Sequence, residues 1–163
     1  MTKPLSASVD LPTDVETAFA AMSGPSWAEL MAARLHDGST LVECTPTAEG
    51  GTRLVVSREL PDGVPGFLAP FLPQDRRTTQ TDVWGPSRGG ARRGTFAVSF
   101  PGSPGEVSGE TVLEPTDAGT RWSVTGTVRI KVPLVGGKAE GFLAPLVERL
   151  VVKQGEVLRA ELG

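Results

Sequence analysis

Residues 119–133 read Gly-Thr-Arg-Trp-Ser-Val-Thr-Gly-Thr-Val-Arg-Ile-Lys-Val-Pro and carry the clearest strand pattern in the sequence. Its large apolar side chains recur at every second position, with charged and hydroxyl residues between them: Trp122, Val124, Val128, Ile130 and Val132. A period of two with a single apolar face predicts an antiparallel strand that is buried on one side and wet on the other.

The chain after Gly136-Gly137 changes its period from two to that of a helix. Apolar residues then recur at spacings of three and four: Phe142, Leu143, Leu146, Val147, Leu150, Val151, Val157, Leu158 and Leu162. At 1.5 Å per residue, a helix of roughly 25 residues is about 38 Å long, enough to cross a whole sheet. We therefore expect a helix from about 137 to 162 whose apolar stripe packs on the apolar face of the sheet.

The sequence before this stretch supplies the remaining elements. Alternation at 5–11 predicts a first strand, and two capping boxes, with Thr13 and Ser26 as caps, predict two short helices. Further strands are predicted at 39–47, 52–60, 76–85, 92–100 and 105–115. This order lacks the alternation of a parallel sheet. It predicts one α+β domain over 1–163, a seven-stranded curved antiparallel sheet wrapped around the C-terminal helix.

Two passages resemble a known superfamily. Arg129-Ile-Lys-Val-Pro-Leu-Val-Gly-Gly-Lys-Ala-Glu140 and Thr78-Thr-Gln-Thr-Asp-Val-Trp84 are similar to the START and pollen-allergen-like helix-grip (SRPBCC) superfamily, within an uncharacterised bacterial branch. That superfamily includes polyketide cyclases and lipid carriers. The resemblance implies a cavity between sheet and helix that holds an apolar or amphipathic molecule.

Composition and charge exclude several classes of protein. The net charge of −3 argues against a nucleic-acid-binding protein, and no run of about 18 apolar residues is present to span a membrane. The only cysteine, Cys44, precludes an internal disulfide and favours a reducing compartment, so we expect a cytoplasmic protein. The oligomeric state is left open.

Few side chains are candidates for catalysis or metal binding. His36, the only histidine, is either an acid–base group at a cavity rim or a histidine at a helix end, and we favour the second. Cys44 has no neighbouring base in sequence. Without a recognisable catalytic motif or a metal-ligand cluster, we expect no catalytic residue, no metal and no cofactor.

Two arginine clusters are open to two interpretations. Arg76 and Arg77, and Arg88, Arg92 and Arg93, would serve either to bind anions or as solvated hairpin ends. We favour solvated ends, because the whole chain is acidic and no aromatic residues are interleaved with the arginines.

Segment 61–74 combines four prolines with Phe67, Leu68, Phe71 and Leu72. It is either an apolar lid over the cavity or a structural plug at the sheet edge, and the sequence leaves both open. Alternate connections of an antiparallel meander fall at the same end of the sheet. This places 61–74 beside 36–38, 102–105 and 134–137.

The leading functional hypothesis is non-enzymatic binding or transport of a small apolar molecule, a lipid or a polyketide-like compound. Candidate cavity or lid residues share a large apolar side chain: Phe67, Leu68, Phe71, Trp84, Phe96, Phe100, Trp122, Leu143 and Val147. One alternative is a cyclase- or dehydratase-like enzyme in which Gln80 and Asp82 orient the substrate. Another is a module that binds an apolar segment of a protein partner. Gly109 and Gly126 lie inside predicted strands, where a missing side chain either leaves space or lets another group approach closely, or where the glycines mark bulges that bend the sheet.

Overall fold

The computed structural model describes residues 2–163. Its strands are β1 (Lys3–Leu11), β2 (Thr40–Pro46), β3 (Thr52–Glu59), β4 (Arg77–Trp84), β5 (Arg92–Ser99), β6 (Gly105–Thr116) and β7 (Gly119–Ile130). Its helices are α1 (Val15–Ser23), α2 (Ser26–Leu35), a short 3₁₀ helix (Gly66–Phe71) and α3 (Gly136–Leu162). The strands form one sheet in the order β1-β7-β6-β5-β4-β3-β2, and every neighbouring pair is antiparallel.

The predicted helix-grip architecture is confirmed. A curved seven-stranded antiparallel sheet holds the long helix α3, and two short helices connect β1 to β2. In β7 the predicted alternation is present, because Trp122, Val124 and Val128 are buried whereas Arg121 and Arg129 are exposed. The apolar face of this strand therefore belongs to the core that α3 covers.

Helix α3 packs directly against the edge strand β1. A Cβ added at Gly155 would lie 2.5 Å from the methyl groups of Val9, so only glycine lets the helix approach this closely. About two turns closer to the N-terminus of the helix, the Glu148 carboxylate accepts a hydrogen bond of 2.9 Å from the backbone N–H of Ser6. The helix thus covers one edge of the sheet, which would otherwise be open to pairing with another chain.

Gly109 and Gly126 face each other across β6 and β7. A Cβ on Gly109 would lie 2.0 Å from the carbonyl oxygen of Thr125, and one on Gly126 would lie 2.3 Å from that of Ser108. The register is unshifted here, so this is a close approach of two backbones and not a bulge. The structure therefore shows the close approach that the sequence allowed, and the alternative of a bulge is wrong.

Both predicted helix caps are off by one residue. Asp14 caps α1, because its Oδ1 accepts a 2.7 Å hydrogen bond from the backbone N–H of Thr17, and Thr13 lies outside. Helix α2 is preceded by Pro25, which already has helical φ and ψ of −58° and −30°. Ser26 is therefore inside the helix, which begins without a side-chain cap.

Candidate ligand-binding cavity

A cavity of about 420 Å³ lies between the inner face of the sheet and α3. Strands β3 to β7 supply one wall, α3 supplies the other, and parts of α1, α2 and the segment before β4 complete it. Small-molecule sites in proteins occupy roughly 300–1,000 Å³ and are mostly apolar, so this space is of the size that a small ligand needs.

Most of the predicted site residues lie in the wall of this cavity. Those that line it are Leu68, Phe71, Trp84, Phe96, Phe100, Trp122, Leu143 and Val147. Phe67 does not, and its ring instead lies 4.4 Å from the Nζ of Lys138. The reason is the 3₁₀ helix, in which residues three apart share a face. Leu68 and Phe71 therefore point together at the cavity, and Phe67 points away.

Three tryptophans contribute to the wall. The Trp84 ring packs edge-on against Phe19 with the ring centroids 5.8 Å apart, and Trp122 donates its indole N–H to Thr111 Oγ1 at 2.8 Å. Trp27 also lines the cavity, although it was not among the predicted site residues. Its position at the start of the apolar face of α2 could have indicated that it belongs to the wall.

A line of polar side chains crosses this apolar wall. Arg58 Nη1 donates to Gln80 Oε1 at 2.5 Å, and Gln80 Nε2 donates to Asp82 Oδ1 at 2.9 Å. On its other side, the Nε of Arg58 lies 3.9 Å from Oδ2 of Asp37. All four side chains line the cavity. Gln80 and Asp82 were predicted as polar groups of the pocket, whereas Arg58 and Asp37 were not.

The environment of Asp82 changes its acidity. Burial raises the pKa of Asp82 to about 6, while the hydrogen bond from Gln80 and the charge of Arg58 act in the opposite direction. Burial likewise lowers the pKa of Arg58, opposed by Asp37 and Asp82. Burial in the cavity therefore makes Asp82 a weaker acid than an exposed aspartate.

The connections at one end of the sheet form the mouth of the cavity. His36, Asp37, Phe71 and Ser103 line it there, and the Ser103 hydroxyl donates to the Phe71 carbonyl. His36 ends α2 in the left-handed conformation, with a φ of 52°, and its side chain is exposed. The 134–137 turn does not line the cavity.

Arg92 is buried, so its assignment to a solvated hairpin end is wrong. Its Nε and Nη2 donate to the two carboxylate oxygens of Glu16 at 2.9 and 2.7 Å. Its Nη1 donates to the carbonyl oxygens of Gly50 and Gly85 at 3.0 and 2.9 Å, and its guanidinium lies 3.8 Å from the Phe19 ring centroid. Only 8% of Arg92 is exposed.

Arg88 and Arg93, which neighbour Arg92 in sequence, are exposed, as expected of hairpin residues.

The only cysteine offers no reactive site. Cys44 is half-buried, with Sγ 3.5 Å from the carbonyl oxygen of Ser23. In the described part of the chain, no three His, Cys, Asp or Glu side chains gather so that they could hold a metal ion. Over the same residues, no helix is long and apolar enough to cross a membrane.

Comparison with known proteins places the chain in a family. The family model described as "Protein of unknown function (DUF2505)" matches residues 6–162. The chain belongs to this family. The protein Rv0481c of Mycobacterium tuberculosis is 26% identical over 109 residues, which are 64% of this chain and 63% of that protein. The chain thus spans 63% of the length of the curated relatives that it matches.

Solved structures share the fold at low sequence identity. Ara h 8.0201 superposes with a TM-score of 0.60 at 15% identity, covering 99% of this chain and 97% of that one. Norcoclaurine synthase from Thalictrum flavum, in complex with dopamine and hydroxybenzaldehyde, gives 0.59 at 11% identity, covering 99% and 87%. The resemblance to the START and pollen-allergen-like superfamily is therefore confirmed at the level of the fold.

Proposed function

We propose that this protein binds a small, largely apolar molecule in the cavity between the sheet and α3, without chemical change to it. The observation that carries the proposal is the cavity itself, about 420 Å³ in volume and walled mainly by aliphatic and aromatic side chains. Removing such a molecule from water contributes about 25 cal/mol for each Å² of apolar surface, so the wall alone supplies affinity. The polar line from Asp37 to Asp82 then orients the ligand.

The site residues of this proposal come from both walls. From the sheet we assign Trp84, Phe96, Phe100 and Trp122 to the ligand, and from α3 we assign Leu143 and Val147. Leu68 and Phe71 would contact it from the mouth. We do not assign Phe67, because its ring lies against Lys138.

Native mass spectrometry of freshly purified protein tests this proposal. The expected spectrum contains a second species, heavier than the chain by the mass of one small molecule, which disappears when the protein is unfolded and refolded. Apo protein alone, together with failure to bind any apolar probe, would contradict the proposal.

A second candidate function is favoured by one observation, the position of Asp82. A buried carboxyl group with a pKa of about 6, facing a ligand cavity, is suited to transferring protons in an isomerase or dehydratase reaction. An enzyme of this fold is known in norcoclaurine synthase, so the fold does not decide between binding and catalysis. Incubating the protein with its recovered ligand distinguishes the two. A change in ligand mass or connectivity that requires Asp82 would indicate the enzyme, and an unchanged ligand would indicate the carrier.

Two broader proposals accompany the function. We propose that residues 1–163 act as one domain, since one sheet and one core involve elements from both ends of the chain. We also propose a cytoplasmic location, on the basis of the single unpaired Cys44. Cell fractionation tests the second.

A further inference from the structure

Along the polar line in the cavity, each hydrogen bond runs from donor to acceptor in one order, from Arg58 to Gln80 to Asp82, and Arg58 sets this order. A guanidinium has only donors, so Gln80 must present its amide oxygen to Arg58, 2.5 Å away. The amide N–H₂ of Gln80 is then left to face Asp82, and it donates to Oδ1 at 2.9 Å. Gln80 is therefore fixed by its two neighbours and has no free choice of orientation toward a ligand.

Asp82 keeps unused acceptor capacity at the end of this line. A carboxylate accepts about four hydrogen bonds, and Gln80 supplies the only side-chain or backbone donor found for Asp82 among residues 2–163. Its cross-strand neighbours Leu54 and Phe96 are apolar and buried. The part of Asp82 that is not enclosed by protein faces the cavity, because Asp82 lines it.

The charges inside the cavity do not favour an anion. Arg58 is the cation nearest to Asp82 along the line. Asp37 Oδ2 lies 3.9 Å from its Nε, close enough for charge attraction but too far for a hydrogen bond, so this buried N–H has no acceptor among residues 2–163. With Asp82 ionised, these three groups carry one net negative charge. The other titratable groups of the lining are His36, Glu59 and Asp62 from the loops and strand ends, and Lys153 from α3. All four of these are exposed, so solvent screens them.

We propose that the cavity selects apolar molecules bearing a hydrogen-bond donor, an ammonium or hydroxyl group, that Asp82 accepts the donor, and that carboxylates are rejected. This inference rests on the proposed binding function and adds the chemical class of the ligand. It predicts that a simple fatty acid is a poor ligand, whereas an amine or alcohol of the same chain length is a good one. Because the ionised form of Asp82 is the better acceptor, the preference for an amine weakens as the pH falls through about 6.

Calorimetric titration of the full chain with decylamine, decanol and decanoate, which share one apolar chain, tests the proposal above pH 6. Decylamine should bind at least about tenfold more tightly than decanoate, since a hydrogen bond to a charged group is worth about 1.4 kcal/mol or more. In Asp82→Asn the new amide oxygen accepts from Gln80 and its N–H₂ turns to the cavity, so the amine should lose affinity and decanoate should gain it. Asp117→Asn removes the same charge from an exposed turn outside the cavity and should leave the order unchanged.

The outcomes separate this inference from the function on which it rests. Equal binding of all three compounds, tighter binding of decanoate, or a preference for the amine that survives Asp82→Asn would overturn the inference and leave the cavity-binding function standing. Failure of all three to bind would count against the function itself. The wild-type comparison above and below pH 6 decides the matter even if the Asp82 variant does not fold, because a pH-independent preference would exclude Asp82 as its source.

Discussion

Gln80 donates an amide N–H to Asp82 Oδ1 over 2.9 Å from the next inward-facing position of β4. This is the only hydrogen bond that we find for that carboxyl group among residues 2–163, and the adjacent inward residues Leu54 and Phe96 are apolar. The free protein therefore keeps an under-solvated charge in its cavity. Such a charge lowers the stability of the fold unless a bound group satisfies it.

The first prediction concerns the effect of the Asp82 charge on the free energy of unfolding. The pKa of Asp82 is raised from 3.8 to about 6 in the folded protein, so the folded state holds the proton more tightly between those values. Asp82 therefore lowers the free energy of unfolding as the pH rises through that window. Asp82→Asn, which cannot ionise, should stabilise the protein by about 1–3 kcal/mol above pH 6 and by little below the ordinary aspartate pKa.

Urea denaturation at a pH on each side of the window measures this difference. The control is Asp62→Asn, which should change stability by less than about 0.5 kcal/mol at either pH because Asp62 is exposed. A loss of stability in Asp82→Asn at the higher pH would show that the ionised carboxylate is better satisfied than we infer.

The second prediction concerns Arg92, which is buried but lies outside the cavity lining. Arg92→Ala removes the two hydrogen bonds to Glu16 and leaves the carbonyl oxygens of Gly50 and Gly85 without this donor. We expect a loss of about 2–4 kcal/mol in the free energy of unfolding. Affinity for an apolar probe should be unchanged where the variant is folded, because Arg92 does not line the cavity.

Arg93→Ala is the matched control for Arg92, since the neighbouring arginine is exposed and should be nearly neutral. Equal effects of the two substitutions on thermal unfolding would mean that the buried arginine network does not stabilise the fold.

The third prediction separates the two phenylalanines at the mouth. Phe71 lines the cavity and Phe67 does not, so Phe71→Asp should weaken binding of a neutral apolar dye about tenfold or more, while Phe67→Asp should not. If the segment is a lid, both variants keep nearly the full thermal stability of the protein. If it is a structural plug, stability falls by several kcal/mol.

Dye titration and thermal unfolding of the same samples decide between lid and plug. Unchanged dye affinity in Phe71→Asp, with a sharply lowered melting temperature, would reject the lid.

Elements with a local period could be predicted from the sequence. The alternation around Trp122 and Val124 and the helical stripe through Leu143 and Val147 need no distant partner, and both are present in the structure. Parity along β7 also placed Trp122 and Val124 on the buried face, because a side chain two positions from a buried one faces the same way.

What could not be predicted depends on register and on the phase of short turns. Arg58 meets Gln80 only because β3 pairs with β4 so that Val56 lies opposite Gln80. The sequence nevertheless indicated that Arg58 faces inward, since it follows Leu54 and Val56 at every second position. Arg92 likewise precedes the inward-facing Phe96 by four residues, an even number, and so lies on the same face of its strand. Phe67 was misplaced because its direction depends on a 3₁₀ turn, which apolar composition alone does not predict.

The proposed function requires that the space between the sheet and α3 holds an apolar molecule, and titration with the neutral dye N-phenyl-naphthylamine measures this binding. Wild-type protein should bind one dye with enhanced dye fluorescence and altered tryptophan emission, because Trp84 and Trp122 line the cavity. Val147→Trp fills the cavity from α3 and should weaken binding at least about tenfold, since it removes apolar contact area from the dye. Val152→Trp places the same side chain on an exposed position of the helix and should bind as the wild type does. Equal affinity of the Val147 and Val152 variants, or no saturable binding by the wild type, would contradict the account.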